Sequence, residues 1–177
     1  MSATQGPRIL VVNAGSSSLK LRVLGPDDAV EGSADLPAPR DSGGASGLAD
    51  AIRGMGAVDA VGHRIVHGGT EFSGPVRIDE RVRARIEALT DLAPLHQPKS
   101  LAALAAVTAV LPDVPAVACF DTAFHATLPA AAFTYALPPE WRKRWDLRRY
   151  GFHGLSHAYA SRRAAQTSTG RPRDCGS

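Results

Sequence analysis

Aliphatic and β-branched residues fill positions 9–12 and 19–24, and the polar stretch N-A-G-S-S-S separates the two runs. This pattern predicts two strands joined as a hairpin at the edge of a sheet. G-P-D at 25–27 supplies the next turn, and residues 29–36 are expected to pair as a third antiparallel strand. Residues 37–47 are rich in Pro, Gly and Ser and are expected to form a loop without regular structure. The run A-V-D-A-V-G-H-R-I-V at 57–66 is bounded by glycines and too short for a typical helix, which predicts a buried strand. Asp79 is placed to cap a helix with Val82, Ile86 and Leu89 on one face. A second helix is expected from about Pro98 to Pro112, with Leu101, Leu104, Thr108 and Leu111 as its inner stripe. Residues 114–120 form another apolar run that ends on Asp121, as a buried strand delivering a carboxylate would. Residues 155–165 open a further helix near Gly154 or Ser156. Past Gln166 the apolar periodicity stops, and T-S-T-G-R-P-R-D-C-G-S is expected to be an unpacked tail.

Composition narrows the class. With 44% hydrophobic and 21% charged residues over 177 positions, the chain suits one globular domain with a real core and excludes fibrous or wholly disordered classes. No run reaches the roughly 18 apolar residues of a membrane span. M-S-A-T-Q-G-P lacks the layout of a secretory signal, so a cytoplasmic location is expected. The two cysteines, Cys119 in an apolar run and Cys175 in the tail, do not make a disulfide framework, and Cys119 is read as a core residue. A net charge of +3 is concentrated at 142–149 and 162–173, a faint signal for an anionic partner.

Five stretches carry candidate chemistry. In N-A-G-S-S-S-L-K, small residues let backbone N–H groups turn inward, while Asn13 and Lys20 add an amide and a point charge. A phosphate cradle and a plain hairpin turn are both open here, and the spacing of a Walker A loop is absent. In G-H-R-I-V-H-G-G, Arg64 at a strand end suits bidentate binding of a carboxylate or phosphate, the alternative being a surface salt bridge. H-G-G without a G-x-S-x-G turn argues against a serine hydrolase. His96 in L-A-P-L-H-Q-P is either a core histidine or a ligand. Asp121 in F-D-T-A-F-H is either a cap or a metal-binding or catalytic carboxylate. His153 and His157 in Y-G-F-H-G-L-S-H have i, i+4 spacing, but no third ligand supports zinc, and a histidine held between glycines to donate to an anion fits better. The segment W-R-K-R-W-D-L-R-R is read as a solvated amphipathic helix rather than an RNA-binding surface.

Taken in order, these five stretches resemble the acetate kinase family, the acetate and propionate kinases that make acyl phosphates from ATP. The resemblance covers residues 8–165, expected to form an N-terminal acetate-kinase-like α/β domain, with 166–177 as the tail. It implies the fold of the sugar kinase, actin and heat-shock chaperone superfamily, a ribonuclease H-like mixed β-sheet flanked by helices in a β-β-β-α-β-α-β-α order. It also implies reversible phosphoryl transfer from ATP to acetate with Mg²⁺ or Mn²⁺, in a homodimer with no nucleic-acid or membrane partner. By resemblance, Asn13, Ser16, Ser17, Ser18 and Lys20 line the nucleotide phosphates, with Asn13 near the metal. Arg64, Asp121 and His153 match catalytic residues, and Arg64, Val66, Leu95 and His96 match the carboxylate site.

The sequence also departs from that family. Full-length members are more than twice as long, and no H-x-G-x-G loop of their second domain occurs here. A truncated or frameshifted product holding the first domain, with little or no activity alone, is therefore expected. The alternatives are a non-catalytic binding module that pairs with a separate C-terminal half, and a propionate kinase.

Overall fold

The computed structural model of the protein describes residues 6–15, 17–37 and 45–168. Ser16, most of the loop expected at 37–47, Cys175 and the tail from residue 169 lie outside the described residues. Six strands form one mixed sheet: β1 (Ile9–Ala14), β2 (Ser18–Leu24), β3 (Val30–Pro37), β4 (Ala60–Ile65), β5 (Val76–Arg77) and β6 (Ala116–Phe120). Their order is β3-β2-β1-β4-β6-β5, with β1, β4 and β6 parallel and the other neighbours antiparallel. The helices are α1 (Ala45–Gly54), α2 (Glu80–Ala88), α3 (Gln97–Val110), α4 (Ala130–Phe133), α5 (Pro139–Trp145) and α6 (Gly154–Ser168).

Alternation in the first two strands decides which face is which. Leu10 and Val12 of β1 and Leu19, Leu21 and Val23 of β2 are buried, while the residues between them are partly or fully exposed. The buried set packs with Leu48 and Ile52 of α1, Val61 of β4, and Ala103 and Val107 of α3. One face of the sheet is therefore covered by α1 and α3. A second cluster joins Ile65, Phe72, Val82, Ile86, Ala118 and Phe120, with the Phe72 and Phe120 rings stacked at 4.6 Å. Asp79 caps α2 as expected, accepting from the Val82 N–H at 2.7 Å.

Several expectations are corrected. Helix α1 begins at Ala45, inside the stretch read as loop, because Leu48 and Ile52 lie one turn apart and both reach the core. The buried stripe of α3 is Gln97, Ser100, Ala103, Leu104 and Val107, whereas Leu101 and Leu111 are half-buried and Thr108 is exposed. This helix is apolar nearly all round, so periodicity alone does not choose its face, and the stripe starts on two buried polar residues. Gln97 explains the rotation: its Nε2 donates to the carbonyls of His67 (3.0 Å) and Ile86 (3.2 Å), clasping α3 to the end of β4 and the last turn of α2. The edge strand β5 and the short helix α4 were not anticipated. Helix α6 runs to Ser168, past the point where apolar periodicity ends.

His63 lies on the buried side of β4, and desolvation lowers its pKa from 6.5 to about 4. It stays neutral when folded and titrates normally when unfolded, so stability is complete above about pH 6.5 and falls as the pH drops toward 4. Burial pushes His67 the same way. Unfolding free energies from urea titrations at about pH 7 and about pH 4.5 should differ by roughly 2 kcal/mol from His63 alone. His63→Leu should shrink that difference, and an unchanged pH slope in the variant would remove His63 as its cause.

Candidate functional site

The parallel strands β1, β4 and β6 end side by side, and the carboxyl ends of parallel strands are where ligands bind in open α/β sheets. Asn13 pairs with Arg64 across β1 and β4, and with Lys20 across β1 and β2, so the three side chains share one face. It is the face opposite the α1 and α3 core. Asp121 follows β6 directly, its N–H bonded to the Ile65 carbonyl at 2.9 Å.

Arg64 ties these ends together. Its Nε and Nη2 donate to the Asp121 carboxylate, with Nη2 2.5 Å from Oδ2, and its Nη1 donates to Asn13 Oδ1 at 3.0 Å. The Asp121 side chain is 3% exposed and that of Arg64 25% exposed. A carboxylate so buried would be costly alone, and side-on pairing to a guanidinium offsets that cost. A guanidinium has five N–H groups. Among the described residues three are used, which leaves one on Nη1 and one on Nη2 at the partly exposed end of the side chain. Set against the alternatives left open by the sequence, Arg64 does make an ion pair, but with a buried carboxylate, and the Asp121 side chain bonds Arg64 rather than a helix N-terminus.

The loop after β4 folds back on the same region. Gly69 has φ +60°, and a Cβ on Gly68 would lie 2.9 Å from the Phe72 carbonyl oxygen and 3.0 Å from the Phe120 ring. The two glycines thus meet two needs, close approach and a left-handed turn. His67 is buried, and its Nδ1 accepts from the Gly69 N–H at 2.9 Å. Its ring meets Tyr150 edge-on at 4.5 Å and Phe152 at 5.5 Å, which brings the Y-G-F-H-G stretch to the end of β4. Thr122 Oγ1 accepts from the Gly68 N–H at 2.9 Å, fastening the same loop to the residue after Asp121.

His153 adjoins the Arg64 cluster through its backbone. The Gly154 N–H donates to the Asp121 carbonyl at 3.0 Å, and a Cβ on Gly154 would stand 2.1 Å from that oxygen. His153 itself has φ 55°, a left-handed conformation for a residue with a side chain. His157 lies on α6 and its N–H donates to the His153 carbonyl, but His153 itself precedes that helix in a left-handed conformation, so the two residues are not an i, i+4 pair on one helical face. Among the described residues no three His, Cys, Asp or Glu side chains gather to hold a metal.

The structure therefore brings Asn13, Lys20, Arg64 and Asp121 together and places the His153 backbone next to them. Ser17 is exposed, Ser18 is half-buried, and the turn is closed by the Gly15 N–H donating to the Ser18 carbonyl at 2.8 Å. Val66 is buried beside His67. Leu95, 76% exposed, and His96, exposed at the N-cap of α3, lie at the start of that helix and, among the described residues, make no hydrogen bond to the Arg64 cluster. Sequence reading missed His67, Thr122, His125 and Phe152 as individual residues. Their signal was present in the quoted motifs, but only the ring contacts and backbone bonds reveal it.

A family model described as the Acetokinase family matches residues 47–175. The chain belongs to the acetokinase family. An acetate kinase of Geobacillus kaustophilus is 42% identical over 93% of the chain, and one of Thermosipho africanus is 53% identical over 66% of it. A crystal structure of Porphyromonas gingivalis acetate kinase superposes with a TM-score of 0.80 at 34% identity, covering 93% of this chain and 49% of that one. A propionate kinase from Francisella tularensis gives 0.78 at 31% identity, covering 93% of this chain and 50% of that one. This acetokinase-family chain thus spans about half the length of the relatives it matches. No described helix is long and apolar enough to cross a membrane.

Because Asp121 is buried against Arg64, removing the arginine alone strands a carboxylate. Arg64→Leu is expected to cost about 3 kcal/mol in urea unfolding, and Arg64→Leu with Asp121→Asn should recover most of it. A double variant as unstable as the single one would show that the pair is not what holds the strand ends together.

Proposed function

We propose that this chain forms one wall of a site that transfers a phosphoryl group between ATP and a short carboxylate, acetate or propionate. The observation that carries the reading is the pair of N–H groups left on Arg64 while Asp121 and Asn13 fix the rest of its guanidinium. A planar donor pair held this way matches a carboxylate or a migrating phosphoryl group. The names of the acetate and propionate kinase relatives support the substrate class.

In this reading a carboxylate oxygen attacks the γ-phosphorus, the bond to the bridging oxygen breaks, and an acyl phosphate and ADP leave. The acceptor is already an anion, so the protein is asked for in-line positioning and charge neutralisation rather than proton removal. Arg64 neutralises the equatorial oxygens and His153 donates to them. Asn13, Ser16, Ser17, Ser18 and Lys20 line the nucleotide phosphates. Val66, with Leu95 and His96 on the loop before α3, borders the acyl tail. Asn13 and Asp121 are the oxygens that would hold Mg²⁺ or Mn²⁺, which suits an ion that keeps waters and phosphate ligands and needs few protein groups. Bound there, the ion would supply further neutralisation of the β- and γ-phosphates.

A second reading is a binding module that works only with a complementary half. It rests on large apolar side chains left open on the later part of the chain, among them Trp141, Trp145, Leu137, Phe152 and Tyr159. Helix α5 has no buried residue. Hydroxylamine trapping separates the readings: the chain alone should form little acyl hydroxamate from ATP and acetate, and adding the C-terminal half of the Geobacillus kaustophilus protein should restore it. Arg64→Ala should lower the restored rate by about 100-fold or more. Near-normal turnover of that variant would refute the clamp, and binding of the half without any product would favour the module.

A further inference from the structure

His153 carries an unfavourable backbone conformation, and the contacts on either side of it show what imposes it. The peptide unit after His153 is held by the Gly154 N–H bonded to the Asp121 carbonyl at 3.0 Å. The unit before it ends in the Phe152 carbonyl, which lies 3.0 Å from His125 Nε2. Both partners belong to one short stretch, Asp121 and the 3₁₀ turn Ala123–His125 that follows it. The His125 ring also lies flat against Gly151, where a Cβ would stand 2.2 Å from Cγ. It meets the Phe124 ring at 5.2 Å and the His157 ring at 5.8 Å, both edge-on.

We propose that His125 is a positioning residue: its Nε2–H, bonded to the Phe152 carbonyl, holds His153 in the left-handed conformation, next to the Gly154 N–H that bonds the Asp121 backbone. A carbonyl only accepts, so the contact needs a proton on Nε2, in the neutral Nε2–H tautomer or the imidazolium. A left-handed non-glycine residue costs on the order of 1–2 kcal/mol, and such residues persist where their surroundings over-determine them. Here two hydrogen bonds, one on each adjoining peptide unit, do so. The bare backbones of Gly151 and Gly154 are what let the loop come close enough to make them.

The inference rests on reading His153 as the donor to the transferred group, but its test does not depend on that reading. In the 177-residue chain, His125→Phe keeps a ring and loses the donor, while His125→Gln keeps an N–H. Amide hydrogen exchange at Gly154 should accelerate by about tenfold in His125→Phe with core amides such as Leu21 and Ile65 unchanged. The His153 ring resonances should shift, and His125→Gln should restore most of both effects. Inorganic phosphate titrated into the same samples then reports on the functional reading separately. Weaker binding in His125→Phe, rescued in His125→Gln, supports both; no phosphate binding even to the parent chain counts against the functional reading only. Unchanged Gly154 exchange and His153 resonances in His125→Phe would overturn the positioning role, as would equal effects in both variants.

Discussion

The Asp121 carboxylate is buried at the end of a central strand, and the guanidinium of Arg64 lies against it with Nη2 2.5 Å from Oδ2. Either charge alone would be unfavourable at this depth, so each holds the other in place. Because Asn13 takes a further N–H of the same guanidinium, the ends of β1, β4 and β6 are fixed relative to one another. The loops that follow these ends inherit that geometry: Gly68 binds Thr122, and Gly154 binds the Asp121 backbone. The arginine is thus the keystone of the strand ends, and in the proposed function its two remaining N–H groups are what it offers to an anion.

The hairpin, the third strand and the two parallel strands were legible because each has a simple period and a clear boundary. The face of α3 was not, because an alanine-rich helix has no polar side to mark and its buried stripe begins on Gln97 and Ser100. Helix α1 was hidden by the glycines and prolines around it. At the site, the order of the five motifs pointed to Asn13, Arg64 and Asp121 together, and the structure joins them. What the sequence could not disclose is contact between distant stretches, such as the rings of Tyr150 and Phe152 against His67.

The Y-G-F-H-G stretch inverts an ordinary expectation. Glycine usually supplies the left-handed residue of a tight loop. Here it is His153 that takes φ 55°, while a Cβ on Gly151 would strike the His125 ring and one on Gly154 the Asp121 carbonyl oxygen. The glycines give proximity, and proximity supplies the bonds that hold the histidine. A backbone cost at one residue is offset by two hydrogen bonds and ring packing at its neighbours, a pattern that fits a side chain which must point one way.

The central claim is that Arg64 is held ready to receive an anion. Titration of acetyl phosphate into the chain, followed through the side-chain resonances of Arg64 Nε–H, the Asn13 amide and the His153 ring, tests it directly. The account predicts that these signals move together along one saturating curve, and that the curve disappears in Arg64→Gln. Movement confined to exposed arginines such as Arg144 and Arg149, with the Arg64 signal unchanged, would contradict it.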